Sequence, residues 1–189
     1  MDITSEQTKT LWREMCAHYG TRVVPKSGSP LMRGVGAGLH VIRIMDYRTF
    51  MDRYTTVLGR RIYPWFDIGE GDEDALWYQA VVCVHEHQHV VQARREGFVG
   101  FSIPYLLSPK RRALLEAEAY RCNLEMHWWK NAEMPDPDRL AGRLEQYGCG
   151  QKAVAAARDY LQAAAKEVRQ GEVLNEASRF AIDLLGAAG

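Results

Sequence analysis

The chain has no surplus of charge: over 189 residues, 24 lysines and arginines balance 24 aspartates and glutamates. That balance gives no basis for a polyanionic partner, so nucleic acid is not an expected ligand. Cysteine is scarce and scattered. Cys16, Cys83, Cys122 and Cys149 contain no C-x-x-C pair, which excludes a zinc ribbon and a disulfide framework and predicts reduced, mostly buried thiols. No apolar run approaches membrane-spanning length, so no membrane association is expected. The start, Met1-Asp2-Ile3-Thr4-Ser5-Glu6, lacks the basic-then-apolar order of a secretory signal. With the thiols, this leads to the expectation of a cytoplasmic protein. The run Gly34-Val35-Gly36-Ala37-Gly38 lacks the Lys-Ser/Thr that completes a phosphate loop, so a nucleotide site is not expected.

What is present fits a soluble globular protein, with 47% hydrophobic and 25% charged residues. The length suits one domain, 1–189, with a metal core at about 39–131 and C-terminal helices at about 136–186. Residues 4–19 predict a first helix ended by Gly20. Residues 25–38, rich in Gly, Ser and Pro, read as a flexible connector or lid. Residues 39–45 predict a buried strand in which His40 is structural, 46–54 a short helical link, and 55–65 a second strand. From residue 72 onward helices dominate: 75–96, 110–130, one opened by Asp136-Pro137 and closed by Gly148, 151–170 and 172–185. Few strands among many helices predict an α+β fold, predominantly helical, with a small β-sheet beside the helix discussed next.

His85-Glu86-His87-Gln88-His89 reads H-E-x-x-H. On a helix, His85 and His89 lie four residues apart and project from one face, so two imidazoles can hold one ion, the geometry tetrahedral zinc asks of its first two ligands. Glu86 falls beside the metal's open position and is placed to take a proton from water. From this chain's composition an accidental match arises in roughly one chain in seventy of this length, so the setting matters. The setting is a predicted helix capped by Asp72 or Asp74, carrying the apolar run Ala80-Val81-Val82-Cys83-Val84 and ending before Gly97. Two other residues drop out as ligands. His87, two positions from each of the paired histidines, points away from the ion, as does Cys83.

A third ligand must come from a neighbouring element. Ser108-Pro109 opens a helix that carries Leu114-Leu115-Glu116-Ala117-Glu118-Ala119-Tyr120. Glu116, Tyr120 and His127 share one face, whereas Glu118 points about 200 degrees from Glu116. Small Ala117 and Ala119 allow close helix approach. A rotated helix would present Glu118 instead, and His127, beside Trp128-Trp129, is a third choice.

On these residues the chain resembles the zincin-like metallopeptidases, in the branch where H-E-x-x-H is followed by a glutamate on a second helix within an E-x-x-A pattern, here Glu116-Ala117-Glu118-Ala119. The likeness extends to Val90-Val91-Gln92 and to Gly59-Arg60-Arg61-Ile62-Tyr63, similar to the strand these enzymes place before the active-site helix, and covers about residues 55–121. It implies a zincin-like fold, a Zn2+ cofactor held by His85, His89 and Glu116, and Glu86 as catalytic base. Tyr120 stands where larger members carry an aspartate, so that aspartate's role is not carried over.

The reading is therefore a zinc metallopeptidase acting on a peptide or protein substrate, with Arg60-Arg61-Ile62-Tyr63 nominated to align the substrate by edge pairing. The rival is a non-catalytic helical interaction protein, or an inactive zincin-like protein retaining a metal site. A metal-dependent hydrolase of a non-peptide amide is a third class.

Overall fold

The computed structural model describes residues 2–41 and 46–187, which form nine α-helices and one three-stranded sheet. The centre is α4 (Glu73–Glu96), started by Asp72, whose carboxylate accepts from Ala75 N at 2.9 Å, and ended at Gly97. It is buried around most of its circumference from Leu76 to Gln92, so its polar side chains must find partners inside the protein. Gln79 does so by accepting from Gly69 N and donating to Glu70 O, each at 2.7 Å.

Helix α1 (Ser5–Tyr19) begins with a capping box between Thr4 and Gln7 and stops at Gly20, whose φ of 60° suits glycine. Its Leu11, Trp12 and Met15 pack with Trp77 and Val84 of α4 and Ala181 of α9 (Glu176–Ala187) in the main core. A second core joins α6 (Pro109–Asn131), α7 (Pro137–Gly142) and α8 (Gln151–Arg169) through Leu124, Leu140 and Leu161. The candidate site lies at the seam between α4 and α6.

The segment expected as a connector or lid is instead α2 (Pro30–Val41), capped by Ser29, whose hydroxyl accepts from Met32 N at 3.3 Å. Gly36 serves packing: a Cβ there would meet Phe50 Cδ1 at 2.9 Å, so α3 (Tyr47–Arg53) sits against a bare backbone. The strand expected at 39–45 is contradicted at its start, where 39–41 belong to α2. Residues 42–45 and the His40 side chain lie outside the described residues. The helical link expected at 46–54 is α3.

The strand expected at 55–65 is a hairpin, β2 (Thr56–Leu58) and β3 (Arg61–Tyr63), turning at Gly59 with φ 60°. The third strand is β1 (Arg22–Val23), and the order β1-β3-β2 pairs β3 parallel to β1 and antiparallel to β2. Arg60-Arg61-Ile62-Tyr63, nominated for edge pairing, therefore surrounds the central strand and has no free edge.

Between Gly97 and Ser108, where sequence reading placed no element, lies α5 (Phe98–Leu107), none of whose residues is buried. The helix opened by Asp136 is α7 followed by a 3-10 turn at Arg143–Tyr147, closing at Gly148. The last helix starts at Glu176 rather than 172, because Glu125 captures the backbone N–H groups of Leu174 and Asn175 at 2.9 and 3.3 Å and holds the link extended. Among the described residues no helix is long and apolar enough to cross a membrane.

Candidate metal centre

His85 and His89 project from one face of α4 toward Glu116 on α6. Their ligand atoms and a carboxylate oxygen of Glu116 all lie within 4.8 Å of one another, and all three residues are buried, so the group could hold a metal ion. His85 Nε2 is 3.4 Å from Glu116 Oε2, and His89 Nε2 is 3.5 Å from Glu116 Oε1. Ala113 and Ala117, both fully buried, lie on the other side of α6, in the core it shares with α7 and α8.

The outer nitrogens are tied down. Gln92 donates its amide to Leu115 O at 2.8 Å, which leaves its Oε1 to accept from His89 Nδ1 at 2.8 Å. Asn123 Oδ1 accepts from His85 Nδ1 at 3.3 Å. Protons on both Nδ1 atoms leave both Nε2 lone pairs aimed at a carboxylate, an arrangement that repels unless a proton or a metal cation lies between them. Tyr105 on α5 donates to Glu116 Oε1 at 2.5 Å, while Glu116 Oε2 is buried with no hydrogen-bond partner. An orphaned buried carboxylate oxygen is costly and suits metal ligation. The donor set of two imidazole nitrogens and one carboxylate oxygen therefore fits a divalent transition metal.

Electrostatics follow the same geometry. Burial would push the Glu116 pKa up, but the two histidines prevail and hold its carboxyl well below the usual range. Burial would lower the His89 pKa, but the Glu116 carboxylate, with help from Glu86, raises it to about 9. Glu86 goes the other way: burial raises its pKa, opposed by His85 and His89.

Glu86 and His85 line a cleft of about 590 Å³ with Tyr54, Tyr78, Tyr120 and Arg143. The Tyr120 ring lies 5.0 Å from that of His85. A separate cleft of about 410 Å³ beside the sheet, lined by Thr21, Arg22 and Arg61 among others, contains none of the motif residues.

The alternatives for the third position lie elsewhere. Glu118 accepts from Gln88 at 2.9 Å and pairs with Arg95 at 2.9 Å. His127 accepts from Trp77 Nε1 at 3.5 Å. His87, fully buried, points away from the cluster: its Nδ1 donates to Cys83 O at 2.7 Å, and Thr21 Oγ1 donates to its Nε2 at 3.0 Å. Burial lowers its pKa to about 4, so it stays neutral. The four cysteines are free, and three of them are buried.

Three members of the site were missed by the sequence reading. Gln92 is three residues from His89, and Asn123 is seven from Glu116, helical spacings that place each on its neighbour's face. Tyr105 gave no signal, because the element that carries it was not recognised. No protein-family model, curated protein or solved structure matches the chain, so its chemistry rests on its own buried His-His-Glu cluster.

Proposed function

We propose that the chain is a zinc-dependent metallopeptidase in which His85, His89 and Glu116 hold the metal and Glu86 is the general base. The observation that carries this reading is the convergence of two Nε2 lone pairs on a carboxylate whose Oε2 is otherwise unpartnered. When bound, zinc would supply Lewis acidity to a water and to the scissile carbonyl. Tyr105 occupies Oε1 and leaves Oε2 for ligation, while Asn123 and Gln92 fix both imidazoles in the tautomer a metal requires. Glu86 takes the proton of the attacking water and passes it to the leaving amine. Its raised pKa suits both roles, because a base works best when its pKa approaches the working pH. Tyr54 and Thr55, which line the cleft, lead directly into β2, an edge strand of the sheet. That strand, rather than β3, is the segment that can align an extended peptide.

The test combines metal content with turnover on an unbiased peptide library. The wild type should carry stoichiometric zinc and cleave, His85→Ala should lose zinc, and Glu86→Gln should keep zinc and lose cleavage. Protein without stoichiometric zinc, or zinc-loaded wild type that cleaves nothing, overturns the reading.

A further inference from the structure

The cleft beside Glu86 carries two cationic side chains that the proposed chemistry does not use. Arg143, on the 3-10 turn, and Arg53, at the end of α3, both line it. Neither guanidinium makes an ion pair or a side-chain hydrogen bond among the described residues, whereas Arg95, Arg111 and Arg121 are each paired with a glutamate. The acids that line the same cleft have duties of their own. Asp46 caps α3, accepting from Thr49 N at 3.0 Å, and Glu86 lies buried next to His85.

The cleft volume, about 590 Å³, falls in the range that accommodates a small ligand or a few residues of peptide. Its wall is built of tyrosines. Tyr54 donates to Gln146 Oε1 at 2.7 Å, and its ring stands edge-on to Tyr147, which fixes the surface from which Arg143 extends. Asn123 and Tyr120 from α6 close the side nearest His85. A substrate reaching Glu86 through this cleft passes two unpaired guanidinium groups, whose planar donor fork matches a carboxylate.

We infer that the cleft recognises a carboxylate of the substrate through Arg143, assisted by Arg53, so that the substrate class is peptides bearing a free C-terminal carboxylate or an acidic side chain close to the scissile bond. The inference rests on the metallopeptidase reading for what is cleaved but not for what is bound.

Binding is tested in the full-length Glu86→Gln protein, which removes turnover, by calorimetric titration with three N-acetylated alanine pentapeptides. One has a free C-terminal carboxylate, one a C-terminal amide, and one an amide with a single internal glutamate. At least one acidic peptide should bind about ten- to a hundredfold more tightly than the neutral amide, the range for a hydrogen-bonded charge contact. The arm that gains affinity identifies the source of the carboxylate. Arg143→Gln in the same background should bring that peptide to the level of the amide, Arg143→Lys should restore part of the difference, and both results should persist with a chelator present. Equal binding of the three peptides, no binding of any, or a preference that survives Arg143→Gln overturns the inference. Acid preference without cleavage by the wild type would sink the peptidase and keep the carboxylate site, while cleavage indifferent to acids would do the reverse.

Discussion

Replacing Gln92 with leucine cuts a bridge that joins the two helices of the candidate site, and its two consequences can be measured separately. The Gln92 side chain is 0% exposed; it receives His89 Nδ1–H and donates to Leu115 O, one residue before Glu116. Leucine has a similar volume, so packing is largely kept and the loss is polar. The Leu115 carbonyl retains its helical partner, but the imidazole N–H is left buried without an acceptor, a cost of about 1–3 kcal/mol. Each kcal/mol lowers Tm by about 2–4 °C in a protein of this size. The second consequence is specific to a metal site. Without Gln92, His89 is free to turn or to change tautomer, and losing such an outer partner typically weakens metal binding by about 10- to 100-fold. Zinc affinity is read by competition with a chromogenic chelator, and Tm is measured in parallel. A Tm that falls while zinc affinity changes by less than about twofold would refute the reasoning: Gln92 would then be a core hydrogen bond and His89 would not be held in register for an ion.

Two further predictions concern parts of the fold that support the site without joining it. Lys26 is buried, its ammonium donating to Phe50 O at 2.6 Å and Tyr54 O at 2.5 Å, and burial lowers its pKa from 10.5 to about 8, opposed by Glu86. Between those values the unfolded chain binds more protons than the native one, so stability should rise from pH 8 to about 10.5 by on the order of 3 kcal/mol, a rise that Lys26→Met should remove in urea titrations. Glu125→Ala should cost about 1–3 kcal/mol in the same assay, because it removes one of the two carboxylates on buried Arg121, which keeps Glu167, and releases the Leu174 and Asn175 N–H groups. Since Glu125 does not touch the His-His-Glu cluster, zinc affinity of that variant should stay at the wild-type level.

What could be read from the sequence follows from which signals are local. The limits of α4 and α6 were legible because Asp72, Gly97, Ser108 and Pro109 act on their own turns of chain. The shared face of Glu116 and Tyr120 follows from helical spacing alone. Helix α2 was misread because Gly34, Gly36 and Gly38 speak for a loop locally, and only the approach of Phe50 and Tyr47 makes a bare backbone useful at Gly36. A single strand was read across 55–65 because the turn at Gly59 is short and its flanks are equally β-branched or aromatic. Helix α5 was invisible for a related reason. Phe98, Val99, Ile103, Leu106 and Leu107 all stay exposed, so its apolar residues do not mark a buried stripe, and with them went Tyr105 and its bond to Glu116.

The motif helix shows almost no amphipathic pattern, and that is informative. A helix buried around most of its circumference cannot hide polar side chains on a solvent face, so each one has to be satisfied in place. Along α4, Gln79 is occupied by the preceding loop, His87 by Cys83 O and Thr21, Gln88 by Glu118, and Gln92 by Leu115 O and His89. Once these are assigned, what remains on α4 is the Glu86 carboxylate, which lines the cleft, and a pair of Nε2 lone pairs, from His85 and His89, which face the unpartnered Oε2 of Glu116. Three acceptors facing one another in a buried space are stable only with positive charge among them, which a proton can supply in part and a divalent ion can supply to all three at once. The neighbouring polar residues, each committed elsewhere, thus leave His85, His89, Glu116 and Glu86, the ligand and base positions the sequence named, by an independent route.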